Sequence, residues 1–308
     1  MPVLPKRTPY YAYRAGAEVA RVLPASVGAP LAREAAAMIG LAFMTERREQ
    51  VVRNLRRVHG RGFSGSELRH EVSATFESYG RYFYELFRLP TYEPAWIDAQ
   101  FRCVGLEHIV AGVAAGRGAV LALPHLGNWD FAGAWLARQG YAVTVVAEPV
   151  EPPELFDWFV ETRARLGMRV VPLGPSAGTE VLKAVRANEV VCLLADRDLT
   201  GDGIAVEFFG ECTTLPGGPA LIALRGGAPL LAAGCYFRDH GRHETHILPP
   251  VPAARSGRLR DDLARVTQEL AHRFEDLIRV APTNWHLLQP NWPSDRGSDP
   301  AAARSGMG

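Results

Sequence analysis

Apolar side chains in the first 90 residues recur at intervals of three and four, which is the period of an amphipathic helix. Pro24 and Pro30 mark the boundary between the first two predicted helices, and Pro90 ends the fourth, because proline cannot continue a helix. Ser64 or Ser66 caps that fourth helix. The predicted helices cover residues 10–23, 29–43, 46–59 and 64–89.

From about residue 100 the pattern changes to short apolar runs separated by helical stretches. A regular alternation of strand and helix is typical of a mainly parallel sheet with helices on its faces. We therefore predict an α/β fold with a mainly parallel central sheet covered by helices. The predicted strands are 119–123, 141–147, 168–173, 190–195, 229–237 and 244–248, and the predicted helices are 128–138, 154–166, 178–187, 214–226 and 258–280.

The two patterns divide the chain into three parts. We predict a helical N-terminal lobe over residues 1–98, an α/β core over residues 99–293 and a tail over residues 294–308. The tail is rich in Ser, Gly, Pro and Ala, so we expect it to be disordered.

Composition narrows the class of protein. With 308 residues, 47% of them hydrophobic, the chain can bury a large core, and its net charge of +1 lacks the basic excess of a nucleic-acid binder. The four cysteines are scattered without a C-x-x-C pair, which is typical of buried thiols in a reducing compartment. No apolar run resembles a secretory signal or reaches the length of a membrane span, so any membrane contact is expected to be peripheral.

Two features of the N-terminal lobe each allow two interpretations. Arginines are interspersed with apolar positions in its first helices, which suits docking on an anionic membrane surface, although solvated arginines are commoner. Aromatic side chains follow one face of the fourth helix, which suits core packing or, alternatively, a face that enters lipid headgroups or lines an acyl groove. The arginines are Arg14, Arg21, Arg33, Arg47, Arg48, Arg53, Arg56 and Arg57, and the aromatic residues are Phe76, Tyr79, Tyr82, Phe83 and Phe87.

The stretch from residue 118 to 133 predicts a functional site. A buried strand ends at Pro124, Asn128 is suited to cap the helix that follows, and Asp130 falls in the first turn of that helix. His125 then lies just past the carboxyl end of a parallel strand, where ligands collect in open α/β sheets. A carboxylate that orients an imidazole makes it a better general base. A loop histidine and an aspartate that suits the helix dipole would show the same spacing.

A second group of carboxylates follows the predicted strand 190–195. Asp196 and Asp198 lie at the carboxyl end of that strand, on the same edge of the sheet as His125 if both strands are parallel. Glu207 comes shortly afterwards. Acidic loops at strand ends are often only turns, so the residues alone do not decide which carboxylate serves the imidazole.

Two other patterns suggest different chemistry. The segment 174–178 fits G-x-S-x-G between a strand and a helix, where a serine hydrolase holds its nucleophile, but Ser176 equally suits a helix N-cap and no H-G-G-G loop precedes it. His240, His243 and His246 are spaced by three, yet His243 and His246 would face opposite sides of a strand. We therefore predict no metal site and keep a serine hydrolase as an alternative.

The six residues from His125 to Asp130, His-Leu-Gly-Asn-Trp-Asp, resemble the H-x-x-x-x-D motif of the glycerolipid and lipid A acyltransferase superfamily. The likeness extends over residues 10–293 and is greatest to the branch that contains lipid A acyltransferases and actinobacterial phosphatidylinositol mannoside acyltransferases. The other matching segments are Asn54-Leu55, Tyr79-Gly-Arg-Tyr82, Asp196-Arg-Asp198, Phe208-Phe209-Gly210 and Trp285.

This resemblance implies a direct acyl transfer in which His125 removes a proton from the acceptor hydroxyl. In relatives, an acidic residue of the motif or of the 196–207 region supports the histidine. An arginine on the helix before Gly167 binds headgroup oxygens there or pairs with the motif carboxylate, and a bidentate guanidinium suits either partner. The catalytic candidates are His125, Asp130 and Asp198, and the substrate-binding candidates are Arg163, Glu148, Asp196, Glu207 and Asn128.

The resemblance also implies the partners. It indicates acyl-CoA, carrying a palmitoyl group, as co-substrate and a mannose of a phosphatidylinositol mannoside as glycolipid acceptor. It indicates peripheral attachment to the anionic cytoplasmic face of the plasma membrane, with no nucleic acid, metal or other cofactor. A lipid A-type acyltransferase that uses acyl carrier protein and a non-catalytic lipid-binding protein are the alternatives.

Overall fold

The computed structural model describes residues 7–296 and confirms the predicted α/β fold. Within these residues, seven strands form a central sheet and two further strands form a separate hairpin. The strands of the central sheet are β1 (Phe101–Val104), β2 (Ala119–Leu123), β3 (Val143–Ala147), β4 (Met168–Pro172), β5 (Val190–Leu194), β8 (Leu230–Phe237) and β9 (His243–Ile247), and the hairpin consists of β6 (Ile204–Phe208) and β7 (Glu211–Leu215).

The central sheet is mainly parallel, as predicted. Its strands lie in the order β1-β9-β8-β2-β5-β3-β4, and each neighbouring pair is parallel except β8 and β9. β2 and β5 pair so that Leu123 lies opposite Leu194. The residues that follow these two strands therefore leave the sheet side by side at one edge.

The first four helices form the N-terminal part of the described chain: α1 (Thr8–Val22), α2 (Ala25–Phe43), α3 (Thr45–His59) and α4 (Gly65–Arg88). The predicted break at Pro30 is wrong, because α2 begins five residues earlier and Pro30 lies in its second turn, where only one helical hydrogen bond is lost. Along the described chain, no single helix is long and apolar enough to cross a membrane. α2 and α3 meet the length and composition criteria only as a pair, with a bend of 102° between them.

Helices cover both faces of the central sheet and close the core. α6 and α7 bury one face, and α9, α10 and α11 bury the other. The helices that follow α4 are α5 (Pro94–Gln100), α6 (Leu106–Ala114), α7 (Trp129–Arg138), α8 (Pro153–Arg165), α9 (Ala177–Arg186), α10 (Gly218–Gly226) and α11 (Leu259–Val280).

Several short elements differ from the prediction. α5, β1, α6 and the β6–β7 hairpin were not predicted, because segments this short carry too few periods to be distinguished from loops. The helix predicted from residue 214 begins at Gly218, since residues 214 and 215 belong to β7. The predicted tail starts with a short 3-10 helix at Pro293–Arg296, and residues 297–308 lie outside the described range.

Arg57 ties the N-terminal helices to the core. Its guanidinium stacks 3.9 Å above the ring of Trp292 and forms ion pairs with Glu211 of β7 and with Asp295. The buried carboxylate of Asp295 also accepts a hydrogen bond from Gln50 of α3. Because removing one member would leave a buried charge unpaired, this cluster holds the segment after α11 firmly against α3.

Candidate active site

His125 and Asp196 meet because of the register of β2 and β5. Leu123 and Leu194 are paired in these parallel strands, and each of the two polar residues follows its strand by two positions. The His125 Nδ1 atom lies 2.6 Å from the Asp196 Oδ1 atom. The structure thus brings the predicted histidine together with Asp196, one of the three candidate carboxylates from the 196–207 region.

The Asp196 carboxylate is fully buried and its oxygens are held by three donors. Its Oδ2 atom accepts hydrogen bonds from the backbone N–H of His125 at 3.0 Å and from the indole N–H of Trp285 at 2.8 Å. Burial acts to raise the pKa of Asp196, but the adjacent imidazole and these hydrogen bonds outweigh it and hold the pKa below its usual value. The carboxylate is therefore ionised at neutral pH.

An ionised carboxylate fixes the tautomer of the histidine. Since Asp196 can only accept, the His125 Nδ1 atom carries the hydrogen, so that in the neutral imidazole the Nε2 atom is the one with the lone pair. Nε2 forms no hydrogen bond within residues 7–296, and the imidazole is 26% exposed on the wall of a cavity. This arrangement is suited to a general base that accepts a proton at Nε2.

The loop that carries His125 is held by the segment after α11. Residues 125–127 pair with residues 284–286: the backbone N–H of His286 donates to the carbonyl of His125 at 2.7 Å, and the N–H of Gly127 donates to Asn284 at 2.8 Å. Gly127 has a φ of 64°, and a side chain there would meet the Cys235 carbonyl at 2.3 Å. Only glycine fits this turn. The backbone that carries the His125 side chain is therefore held in one position.

Asp130 does not orient His125, contrary to one of the two predicted pairings. Its carboxylate forms a bidentate ion pair with Arg163 of α8, at 2.7 and 3.0 Å, and accepts a hydrogen bond from the Tyr82 hydroxyl at 2.7 Å. Burial acts to lower the pKa of Arg163, but Asp130 raises it overall, so the pair stays charged. Of the two partners predicted for Arg163, the structure shows the motif carboxylate. These contacts fix the first turn of α7 against α4 and α8.

The other two candidate carboxylates of the 196–207 region, Asp198 and Glu207, form no hydrogen bond with the imidazole of His125. Asp198, which the sequence ranked with the catalytic residues, accepts hydrogen bonds from the backbone of Thr200, Gly201 and Gly203 and from the Thr214 hydroxyl. It therefore shapes its own loop. Glu207 is exposed on β6 and does not line the cavity.

Two predicted substrate-binding residues also have structural partners. Asn128 caps α7 as predicted, since its Oδ1 atom accepts from the Phe131 amide at 3.0 Å, while its Nδ2 atom donates to Glu85 at 2.9 Å. Its side chain is buried with both ends occupied, which does not fit a substrate contact. Glu148 lines the cavity and pairs with Arg197 at 2.7 Å.

The alternative chemistries find no support in the geometry. The hydroxyl of Ser176 forms no hydrogen bond with any residue of the described chain, so neither a histidine nor an aspartate activates it. His243 is buried against Phe131, and burial lowers its pKa to about 4, while His246 pairs with Glu244 on the surface. Within residues 7–296, no group of three potential ligands is placed to hold a metal ion.

A cavity of about 490 Å³ opens beside His125 at the carboxyl ends of β3 and β5. Its lining residues come from both faces of the sheet, and we refer to the two groups of lining residues as its first and second arms. The first arm runs under α7 and is lined by Leu121, Leu123, Leu136, Met168, Cys192 and Leu194, and the second lies beside α9 and α10 and is lined by Val146, Ala177, Val181, Leu193, Pro219 and Ile222.

Three residues of the site escaped the sequence analysis as functional contacts. Trp285 entered the sequence analysis only as a segment that matches relatives; it is buried, and its indole N–H donates a hydrogen bond to Asp196. Tyr82 belonged to the aromatic stripe, and its hydroxyl reaches Asp130. His286 lines the cavity, and burial lowers its pKa to about 3. The matching Tyr and Trp segments gave a signal for their importance but not for their partners, which are distant in sequence.

Comparison with known proteins agrees with this geometry. The family model described as bacterial lipid A biosynthesis acyltransferase matches residues 4–294. A phosphatidylinositol mannoside acyltransferase of Mycobacterium tuberculosis is 46% identical over 229 residues, which cover 73% of this chain and 71% of that protein. The protein of the same description from Mycolicibacterium smegmatis is 41% identical over 84% of this chain and 83% of its own length. A lipid A biosynthesis acyltransferase of Haemophilus influenzae is 28% identical over 59% of this chain and 56% of its own length.

Proposed function

The chain belongs to the family of bacterial lipid A biosynthesis acyltransferases, and on that premise we propose that it moves a fatty acyl group from acyl-CoA to a mannose hydroxyl of a phosphatidylinositol mannoside. The relatives of 41–46% identity carry that acceptor in their description. The observation that supports the chemistry is an Asp196-bound imidazole whose free Nε2 atom is accessible from an apolar cavity.

The proposed reaction is a direct transfer. The Nε2 atom of His125 takes the proton of the acceptor hydroxyl as its oxygen attacks the thioester carbonyl, and Asp196 stabilises the imidazolium that forms. Collapse of the tetrahedral intermediate forms the ester, breaks the carbon–sulfur bond, and returns the proton from His125 to the thiolate of CoA. These reaction steps need no acyl-enzyme and no cofactor other than the acyl donor.

The first arm of the cavity is the proposed acyl site. Leu121 and Cys192 are paired across β2 and β5. Met168, at the end of the arm far from His125, lies at the same height in the sheet as Ala119, as the registers of β4 with β3, β3 with β5 and β5 with β2 show. The six steps of backbone from Ala119 at the start of β2 to His125 just beyond its end span at most roughly 20 Å. An extended hydrocarbon advances about 1.3 Å per carbon, so the arm suits a chain of about 16 carbons.

Narrowing this arm should change the preferred chain length. Cys192→Phe is expected to reduce use of palmitoyl-CoA at least about tenfold relative to decanoyl-CoA, because a ring at that level blocks the arm roughly 13 Å from the imidazole. The measurement is kcat/KM for a series of acyl-CoA lengths. Cys192→Ala is the control and should retain the palmitoyl preference. An unchanged preference in Cys192→Phe would place the chain elsewhere.

We also propose that the N-terminal lobe docks on the cytoplasmic face of the plasma membrane. Large apolar side chains on α1 and α2 are exposed, and Val22 and Phe43 are 80% and 82% accessible. Arginines flank this apolar surface and would meet anionic headgroups. We take the binding partner of this apolar surface to be a lipid bilayer, because both proposed substrates are lipids with long chains. The exposed residues are Tyr11, Val19, Val22, Val27, Leu31, Met38, Ile39 and Phe43.

Loss of apolar side chains from this surface should release the protein from membranes. The double variant Met38→Ser with Phe43→Ser is expected to bind anionic phosphatidylglycerol vesicles at least about 100-fold more weakly, because each side chain contributes about 1.5 kcal/mol or more when buried. Co-sedimentation measures this. Val110→Ser, at an exposed apolar position on α6 outside this surface, should leave binding unchanged. Indifference of the wild type to vesicles would contradict docking.

One assay tests the proposed activity as a whole. Purified protein is incubated with radiolabelled palmitoyl-CoA or palmitoyl-acyl carrier protein and with phosphatidylinositol mannosides, and products are separated by chromatography. We expect label in the mannoside with the CoA donor. Transfer only from acyl carrier protein would indicate the lipid A-type alternative, and binding of palmitoyl-CoA without transfer to any acceptor would indicate a lipid-binding protein.

A further inference from the structure

One face of α4 carries three buried polar side chains, Ser78, Tyr82 and Glu85. They are four and three residues apart, so they lie on the same side of the helix. A polar group is costly to bury unless it is hydrogen-bonded, so the partners of these side chains show what this side of the helix does. We refer to the three residues as the polar face of α4.

Ser78 contacts the segment that holds the catalytic pair. Its hydroxyl oxygen lies 2.9 Å from the Nε2 atom of His286, and both side chains are buried. The backbone N–H of His286 donates to the carbonyl of His125, and the indole of the preceding Trp285 donates to Asp196. Ser78 is therefore linked through a single side chain to the segment that bonds to both members of the pair.

Tyr82 and Glu85 contact the chain on the other side of His125. The Tyr82 hydroxyl donates to Asp130 at 2.7 Å, and Glu85 accepts a hydrogen bond from the Nδ2 atom of Asn128 at 2.9 Å. Asn128 and Asp130 begin α7, directly after the loop that carries the imidazole. The polar face thus contacts both the start of α7 and the segment that pairs with this loop.

α4 is itself held on two sides. Gly80 packs so closely against α2 that a Cβ atom there would lie 2.6 Å from the carbonyl oxygen of Ala32. Arg81 donates to the second oxygen of Glu85 at 2.7 Å, and its guanidinium lies 4.3 Å above the ring of Phe237 at the end of β8. The helix can therefore give its polar face a fixed position relative to the sheet.

We propose that the polar face of α4 positions the His125 imidazole for proton transfer. This inference rests on the proposed function, and it makes Ser78, Tyr82 and Glu85 positioning residues that act through their partners. A general base must lie within about 3 Å of the group that loses the proton, and a displacement of about 1 Å can cost about 10²-fold in rate. The N-terminal helices then contribute to catalysis as well as to the proposed membrane docking.

The test removes one hydroxyl at a time from the polar face. Ser78→Ala and Tyr82→Phe should each lower kcat about 5- to 20-fold, with the KM for palmitoyl-CoA unchanged. The phenyl ring at position 82 keeps its stacking on Trp129, at 4.3 Å between ring centroids, so only the hydrogen bond is lost. A role in stability alone would lower the melting temperature and leave kcat per folded molecule unchanged.

The same helix offers a matched control for each variant. Tyr84→Phe removes a buried hydroxyl that has no hydrogen-bond partner within residues 7–296. Ser73→Ala removes a hydroxyl that bonds to Glu77, one turn further along α4. Both controls lie off the polar face and should keep kcat within about twofold of the wild type.

A double-mutant cycle tests whether Ser78 acts through His286. If it does, Ser78→Ala combined with His286→Phe should lose no more kcat than His286→Phe alone, because the shared hydrogen bond is already absent. His286→Gln, whose amide can bond to Ser78 in place of the Nε2 atom, should retain more activity than His286→Phe. Losses that multiply in the double variant would contradict the proposed route.

Amide hydrogen exchange gives a measurement that does not depend on acyl transfer. The backbone N–H groups of Gly127 and His286 form the hydrogen bonds between the His125 loop and the segment after α11. In Ser78→Ala they should exchange about tenfold faster than in the wild type or in Tyr84→Phe, because the pairing opens more often. Mass spectrometry on peptides from the two segments measures the rates.

The two measurements separate failure of this inference from failure of the proposed function. Faster exchange in Ser78→Ala, together with a wild type that transfers no acyl group, would refute the activity and leave the support of the loop by α4 standing. Wild-type kcat in both Ser78→Ala and Tyr82→Phe, or unchanged exchange in Ser78→Ala, would refute the positioning role in an active enzyme.

Discussion

Replacement of His125 by alanine is expected to lower the rate of acyl transfer by about 10³- to 10⁴-fold, because the other bases that line the cavity have partners: Asp130 pairs with Arg163, Glu148 with Arg197 and His286 with Ser78. The backbone hydrogen bonds of residue 125 to Asp196 and His286 do not use the side chain and should persist. The loss should therefore appear in kcat, with palmitoyl-CoA still bound. Initial rates of label transfer and equilibrium binding of the donor measure the two effects.

His246→Ala is the matched control for this variant. His246 pairs with Glu244 and does not line the cavity, so its removal should change the rate less than threefold. If His125→Ala retained transfer within tenfold of the wild type, the general base would have to be another group. If both histidine variants lost activity together with their thermal transition, the loss would reflect unfolding.

Replacement of Asp196 by asparagine should cost about 10²- to 10³-fold in kcat. The amide has nearly the same shape and can still accept from Trp285, but its NH₂ group would donate to Nδ1 of His125. The ring hydrogen would then move to Nε2, where a lone pair is needed to accept the proton. A kcat loss with little change in donor binding is the expected signature.

Asp198→Asn distinguishes this role from the one predicted from sequence. Asp198 accepts hydrogen bonds from its own loop and from Thr214, so its substitution should lower the melting temperature while kcat per folded molecule stays within about threefold. A larger kcat loss in Asp198→Asn than in Asp196→Asn would show that the loop rearranges around the substrate and that the original assignment to Asp198 was correct.

The difference between Asp196 and Asp198 shows what the sequence could and could not decide. Local pattern identified both strands, and the cap at Asn128 placed the motif at a strand end, because these features depend on neighbours in sequence. The choice between two acidic residues two positions apart depends on the register of β2 against β5. That register is set by packing of the whole sheet and leaves no local trace.

The local sequence pattern also could not predict which side chains from distant segments of the chain contact each other. Asp130 could have met His125 within its own motif, yet Arg163 of α8 and Tyr82 of α4 occupy its oxygens. The resemblance to relatives had named Arg163 as a partner of the motif carboxylate, whereas spacing alone gave no reason to choose it. Short elements such as β1 and β7 were missed because neighbouring strands, and not their own composition, stabilise them.

The pairing of residues 125–127 with residues 284–286 has a consequence for biosynthesis of the protein. The histidine is encoded in the first half of the chain, but the backbone that fixes it and the indole that holds Asp196 are translated some 160 residues later. A nascent chain that still lacks residues 284–286 therefore lacks the hydrogen bonds that hold His125 and Asp196 in place, although the register of β2 and β5 already brings them together. We expect the proposed activity to appear only after this loop has folded back onto the sheet.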